Sequence, residues 1–170
     1  LGPRINAGGR VGQADLGVRL LTTSDASEAR DISAELDRLN EERRAIEAAV
    51  TEQALELSEG TANAPIAIVS APGWHPGVIG IVAGRLKEKL RRPAIVIALD
   101  EDGVGKGSGR SIPGVDLGGA IIAARDAGLL VAGGGHVLRT VGVPTHWPFG
   151  LTSKVVLAQT EQALAAIKNE

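Results

Sequence analysis

Residues 24–58 carry apolar side chains at a near-heptad spacing, which limits how the chain folds more than any other feature. The repeat runs through Ile32, Leu36, Leu39, Ile46, Val50 and Leu57, with Arg43 and Gln53 at its two gaps. This pattern predicts one helix of roughly 30 residues, about 45 Å long. Ser24 or Ser27 is expected to cap its N-terminus, with Asp25 and Glu28 near the positive end of the helix dipole. So narrow a stripe is typical of a connection between domains or of an ordinary surface helix.

Alternating strand and helix patterns follow a break at residues 60–65, which is rich in turn-forming residues and is the best domain boundary. Strands are expected at residues 66–70, 94–99 and 104–110, with helices at 78–90 and 117–127. This order predicts an α/β domain over residues 65–170, with a central sheet flanked by helices. A further strand is expected at 137–143, and Thr152 or Ser153 is expected to cap a final helix.

The segment before the long helix, residues 1–23, opens with too many Gly and Pro residues for a regular element and then enters a short helix. The chain starts at Leu1 and contains no Met, so we expect it to be a piece of a longer protein. No apolar run approaches the roughly 18 residues of a membrane span, and nothing resembles a signal peptide. We therefore expect no membrane contact and a cytoplasmic protein.

Composition excludes several kinds of site. The absence of cysteine excludes disulfides, thiolate metal sites and cysteine nucleophiles. The formal net charge of −2 means that any nucleic acid must meet a local basic patch. Only Trp74, Trp147 and Phe149 are aromatic, too few for an extended base-stacking platform. Phosphate contacts should therefore dominate any binding of nucleic acid.

Two glycine-rich segments, interpreted as loops, are the best candidates for a phosphate-binding surface. Residues 105–111 read GKGSGRS and place Lys106, Ser108, Arg110 and Ser111 among three glycines. Glycines allow close approach of backbone amides to an anion, and Arg matches phosphate oxygens with a planar fork. The spacing does not match the Walker pattern, and a solvated hairpin is the alternative. The second segment ends in His136, preceded by Gly133, Gly134 and Gly135, where a structural histidine is the alternative.

Two further segments carry weaker signals. GWHPGVIG, residues 73–80, links a strand to a helix and brings His75 and the amides of Val78 and Ile79 to a place where anions bind in α/β sheets. A tight turn is the alternative. PRINAGGR, residues 3–10, offers Arg4 and Arg10.

A catalytic centre is not evident in these residues. His75, His136 and His146 are scattered, and no HExxH, Asp-His-His or triad spacing is present. Asp100, Glu101 and Asp102 fit a solvated turn better than a metal site. We expect neither catalytic residues nor metal ligands in this chain.

Taken together and in order, LGPRINAGGR, GWHPGVIGIVAGRL, RPAIVIAL, GKGSGRSIPGVDL and AGGGH resemble the RecJ family of single-strand-specific 5′→3′ DNA exonucleases. The resemblance covers residues 1–136 and ends where the family usually continues with a small-residue run. It implies that residues 24–60 connect a catalytic domain, absent here, to a substrate-binding domain of the DHHA1 type. Mn²⁺ or Mg²⁺ would be held by the absent domain, and single-stranded DNA would be the partner.

The resemblance also implies roles for individual residues. Ser108 and Arg110 would help hold the 5′ phosphate, Arg4 or Arg10 would add a phosphate contact, and His136 with its glycines would face the active centre. The expected function is the strand-gripping part of an exonuclease acting in DNA repair and recombination, inactive by itself. The alternatives are a DHH/DHHA1 phosphoesterase for short oligonucleotides or cyclic dinucleotides, and a non-catalytic nucleic-acid-binding module.

Overall fold

The computed structural model describes residues 2–60, 62–135 and 152–157. Its elements run in the order α1 (Gly2–Val11), α2 (Leu16–Thr22), α3 (Ala26–Glu59), β1 (Ala67–Pro72), α4 (Ile79–Leu90), β2 (Ala94–Leu99), β3 (Gly105–Arg110), α5 (Leu117–Asp126), β4 (Ala132–Gly135) and β5 (Thr152–Leu157). The chain divides into two compact units, residues 1–49 and 50–170, and the division falls inside α3. Within the described ranges, no helix combines the length and apolar character needed to cross a bilayer.

The first unit corrects the prediction that the opening segment lacks regular structure, because residues 2–11 form helix α1. Its glycines are what allow the packing. A Cβ atom on Gly8 would lie 3.2 Å from Cδ2 of Leu36, and one on Gly12, just after α1, would lie 2.6 Å from Cδ1 of Leu39. The small core contains Ala7, Leu16, Ile32, Leu36 and Leu39. Close helix packing therefore outweighs the low helix propensity of glycine.

The long helix α3 is confirmed, although its N-terminal cap is not one of the predicted serines. Asp25 caps it instead: Oδ1 accepts a hydrogen bond from the Ser27 amide at 2.7 Å, and the Asp25 carbonyl accepts one from the Ala29 amide at 3.0 Å. A carboxylate in this position satisfies an otherwise unpaired amide and also complements the helix dipole.

The buried stripe of α3 departs from the heptad spacing predicted in its second half. Leu57 is 48% exposed, whereas the buried positions there are Glu47, Val50, Ala54 and Ser58. A straight helix has 3.6 residues per turn, so a strict seven-residue repeat drifts by roughly 20° per heptad around its surface. The stripe therefore follows the helix geometry and passes through polar side chains.

In the second unit, a five-stranded sheet has the order β1-β2-β3-β5-β4. Strands β1 and β2 are parallel and joined through α4, while the pairs β2–β3, β3–β5 and β5–β4 are antiparallel. Together with the long helix before it, this arrangement confirms the predicted α/β fold. The sheet has two covered faces, since α4 packs on β2 and β3 and α5 packs on β4 and β5.

The side chains of β3 alternate between these two faces, as they must in a strand. A Cβ atom on Gly109 would lie 2.9 Å from Cδ2 of Leu117, so the glycines of β3 face α5. The core on that side contains Ile68, Ile95, Ile97, Leu117, Ile121 and Leu130. Lys106, Ser108 and Arg110 consequently share the opposite face, which α4 partly covers.

Two predictions near the C-terminus are wrong. Residues 152–157 form strand β5 and do not begin a helix; β-branched Thr152, Val155 and Val156 suit an extended strand paired along the whole of β3. The triple glycine, interpreted as a loop, is strand β4. The predicted strand at 137–143 and the later part of the predicted helix lie outside the described residues.

Candidate phosphate-binding site

The central feature of the candidate site is a contact between Ser108 and Arg110 on β3. Nη1 of Arg110 donates hydrogen bonds to Oγ of Ser108 at 3.1 Å and to the Gly109 carbonyl at 2.9 Å. Ser108 is buried, and Arg110 is partly buried. A serine hydroxyl that accepts one hydrogen bond still carries its own hydrogen. The pair thus combines a fixed guanidinium with a hydroxyl donor.

Gly80, in the first turn of α4, lies directly against this pair. A Cβ atom on Gly80 would be 3.1 Å from both Oγ of Ser108 and Nη2 of Arg110. The residue before the helix, Val78, provides no side-chain cap. The amino end of a helix favours anions because its amides and dipole point toward them. The site therefore places Arg, Ser and a helix N-terminus together, and Gly80 is a residue that the sequence reasoning did not single out.

The glycines of GKGSGRS have a different role from the predicted one. β3 is a regular strand whose register is complete with β2 on one side and β5 on the other, so the segment is not a loop wrapped around an anion. Gly109 makes room for Leu117 of α5. The chemistry of the segment accordingly lies in the side chains on the opposite face.

Lys106 and His75 line one cleft of about 440 Å³ beyond the ends of β1 and β2. Nδ1 of His75 accepts a hydrogen bond from the Gly77 amide at 3.0 Å. The neutral ring therefore carries its hydrogen on Nε2. The Val78 amide, predicted to be open to a ligand, donates to the His75 carbonyl at 3.1 Å.

The hydroxyl of Ser111 makes hydrogen bonds within the turn that follows β3, and its predicted contact with phosphate stays a prediction. Its hydroxyl lies 2.8 Å from the Val115 carbonyl and 3.3 Å from that of Ile112, so it ties down the turn that follows β3. The acidic residues after β2 likewise serve a turn, in which Oδ1 of Asp100 accepts from the Val104 amide at 2.8 Å. Among the described residues, no three potential metal ligands lie together.

The triple glycine lies at one edge of the five-stranded sheet. A Cβ atom on Gly133 would lie 2.9 Å from Cγ2 of Ile121, whereas one on Gly134 would meet nothing within 4 Å. Gly134 pairs with Lys154, and Lys154 pairs with Ser108, so the three occupy one row across the sheet. Gly135 ends β4, and His136 lies outside the described residues.

The two arginines of the opening segment belong to the first unit. Nε of Arg4 contacts Oδ1 of Asp37 at 2.8 Å, and both side chains are about half exposed. Arg10 is exposed in the last turn of α1. Their predicted contact with phosphate stays a prediction.

The described sheet and its candidate site are similar to a known domain family. Residues 63–138 match the DHHA1 domain family. This range contains the candidate site and the elements β1, α4, β2, β3, α5 and β4. The curated relatives include the single-stranded-DNA-specific exonucleases RecJ of Bacillus subtilis, 46% identical over 80% of this chain, and of Escherichia coli, 39% identical over 81%.

Along most of its own length the chain is similar to RecJ proteins, as its resemblance implied. A crystal structure of RecJ in complex with Mg²⁺ from Thermus thermophilus matches 98% of the chain with a TM-score of 0.76 and 34% identity. A structure of exonuclease RecJ bound to manganese matches with a TM-score of 0.71 and 34% identity. This chain spans only 17% and 25% of the two curated relatives and 23% and 37% of the two crystal chains.

Proposed function

We propose that this chain is the substrate-binding part of a metal-dependent, single-strand-specific 5′→3′ DNA exonuclease, in which Ser108 and Arg110 grip the 5′ phosphate of the strand. The observation that carries the proposal is the convergence of these two side chains on Gly80 at the start of α4. Arg forks and helix N-termini both favour phosphate. The relatives named as single-strand-specific exonucleases support DNA as the polymer.

Neighbouring residues extend the same surface. Lys106 stands two positions before Ser108 on the same face of β3 and adds a positive charge near the bound DNA. His75, with its hydrogen on Nε2, can donate a hydrogen bond to the bound nucleotide. Arg4 or Arg10 is assigned a further phosphate contact in this proposal, and the glycines at 133–135 with His136 are assigned to the part that faces the active centre. Ser111 contributes indirectly, by holding the turn after Arg110.

Hydrolysis in this proposal belongs to another part of the parent protein, where Mg²⁺ or Mn²⁺ would activate water. The described residues do not fit such a metal site, because no cluster of three ligands occurs among them. Two similar RecJ crystal structures contain Mg²⁺ and manganese. The role assigned to this chain is therefore to bind and orient the strand.

The test compares binding of a 5′-phosphorylated and a 5′-hydroxyl single strand to the 170-residue chain. The chain is expected to prefer the phosphorylated strand by roughly 10- to 150-fold, because hydrogen bonds to charged groups contribute about 1.5–3 kcal/mol. Arg110→Ala should remove most of this preference. It should also make the slope of log binding constant against log salt concentration shallower by roughly 0.7, the value for one phosphate contact on a single strand. Arg110→Lys should keep the slope and lose part of the preference, since Lys lacks the fork.

Equal affinity of the chain for the two strands would contradict the phosphate site. A dinucleotide that competes as well as a long strand would favour the alternative, a phosphoesterase for short oligonucleotides. Metal-dependent cleavage by the purified chain would overturn the assignment of hydrolysis to another part of the protein.

A further inference from the structure

The cleft beside the phosphate site is built from the carboxyl ends of two parallel strands. Pro72 ends β1 and Leu99 ends β2, and both line the cleft of about 440 Å³. Ligands in open α/β sheets gather at this edge. The volume lies within the usual range for small-molecule sites, roughly 300–1,000 Å³. The cleft is therefore large enough for part of a nucleotide.

The charges on its walls argue against a second phosphate. Lys106 and His75 line the cleft, but Asp100 and Glu101 line it as well. Asp100 is fixed there by its hydrogen bonds from the amides of Val104 and Asp102, at 2.8 and 3.2 Å. Carboxylates repel a phosphate and accept hydrogen bonds from neutral donors. A neutral group is the better occupant.

The remaining walls are apolar and held in place. Trp74 is 4% exposed, and its Nε1 donates to Oε1 of Gln53 at 2.8 Å, which fixes the indole. Pro72, Leu99 and Val104 add apolar surface. Apolar walls with a few polar groups suit a nucleobase, whose faces are apolar and whose edge carries donors and acceptors.

Lys106 connects this cleft to the phosphate site. It lines the cleft and lies two residues from Ser108 on the same face of β3, a separation of roughly 7 Å along a strand. Building on the proposed function, we propose that the cleft holds the nucleobase of the same 5′-terminal nucleotide whose phosphate lies against Ser108 and Arg110. Lys106 stands at the boundary between the two subsites.

The test uses single strands that carry an abasic residue at the first, second or third position from a 5′ phosphate. Binding to the full chain is measured by fluorescence anisotropy. Loss of the first base should weaken binding by roughly 5- to 150-fold, if its contribution matches that of a base stacked on an aromatic side chain. Loss of the second or third base should have a smaller effect. Equal affinity for the intact strand and the strand lacking its first base, or a penalty found only at a later position, would overturn the proposal.

A cleft variant provides the second arm. Val104→Trp fills the cleft and should reduce the penalty for a missing first base to near zero. Asp102→Trp is the control: it adds an indole on the same turn but outside the cleft lining, so the penalty should remain. A full penalty in a folded Val104→Trp variant would also overturn the proposal. The comparison of 5′-phosphate with 5′-hydroxyl strands separates the two ideas. If the chain prefers the 5′-phosphorylated strand but binds the strand lacking its first base equally well, only the base subsite is rejected. If the chain shows neither the phosphate preference nor the base effect, the phosphate site is rejected too.

Discussion

Gly80 of α4 and Arg110 of β3 lie so close that a Cβ atom on the glycine would be 3.1 Å from Nη2 of the arginine. Oγ of Ser108 would be at the same distance. A helix and a strand that are far apart in sequence thus meet at a position where only a hydrogen atom fits comfortably. The absence of a side chain at position 80 is what lets the guanidinium and the hydroxyl approach the helix N-terminus.

Gly80→Ala is therefore expected to displace Arg110 by a few tenths of an ångström and to weaken binding of a 5′-phosphorylated strand by about 1 kcal/mol, roughly fivefold. Gly84→Ala is the matched control, one turn further along α4, where a Cβ atom meets nothing within 4 Å. It should leave binding unchanged and raise the free energy of unfolding by up to about 1 kcal/mol. Equal affinities of the two variants would contradict the role of Gly80.

Gly133 and Gly134 form a second matched pair. Gly133→Ala should lower the free energy of unfolding by roughly 1–3 kcal/mol, because the new methyl group would lie 2.9 Å from Cγ2 of Ile121 and overpack α5. Gly134→Ala meets no atom and should change stability little. In the proposed function the glycines at 133–135 lie near the bound DNA, so Gly134→Ala should weaken DNA binding. Thermal unfolding and strand-binding measurements on both variants test this, and equal loss of stability would contradict the packing difference.

Arg43 and Glu47 form a buried ion pair on α3, with side chains only 10% and 2% exposed. Oδ1 of Asn40 accepts a further hydrogen bond from Nη2 of Arg43 at 3.2 Å. Arg43→Met should lower the free energy of unfolding by roughly 3–5 kcal/mol, because it leaves a buried carboxylate without this partner. The double variant Arg43→Met/Glu47→Leu should recover much of that loss.

Chemical denaturation measures both variants of the buried pair. Arg38→Met is the control on the same helix, since Arg38 is 60% exposed and its ion pairs with Glu35 and Glu42 lie in solvent. Exposed pairs contribute about 0–1 kcal/mol, so the control should lose little stability. A double variant that is less stable than Arg43→Met alone would contradict the explanation.

Glu28 accepts hydrogen bonds from Oγ1 of Thr23 at 2.5 Å and from Nη2 of Arg19 at 2.9 Å. The Thr23 bond first, and then the Arg19 bond, hold the pKa of Glu28 below its ordinary value. A carboxyl with a lowered folded-state pKa contributes stability above its unfolded-state pKa, near roughly 4.3, and this contribution is lost as the pH falls through the folded-state value.

Thr23→Val should raise the pKa of Glu28 toward its ordinary value and reduce the loss of stability in acid. An NMR titration of the Glu28 carboxyl measures the shift. Thr22→Val is the control, because Oγ1 of Thr22 donates to the Val18 carbonyl at 2.9 Å and does not contact Glu28. The interpretation fails if both variants titrate like the parent chain.

The sequence alone determined the elements that depend on local pattern and the family that depends on motif order. Helix α3, strand β2 and helix α4 follow directly from their apolar periodicity and from the breaks beside them. GKGSGRS and GWHPGVIG also identified the segments that meet at the candidate site. These features are local, because residues close in the chain set both the pattern and its boundaries.

Only the tertiary structure decided what the glycines do and where the remaining segments pair. α1 is helical because Gly8 and Gly12 allow close packing, and β5 is a strand because it pairs with the whole length of β3. Gly80 became part of the site only when α4 met Ser108 and Arg110. Such contacts join residues that are distant in sequence, and the space available at each glycine depends on the neighbours that folding brings to it.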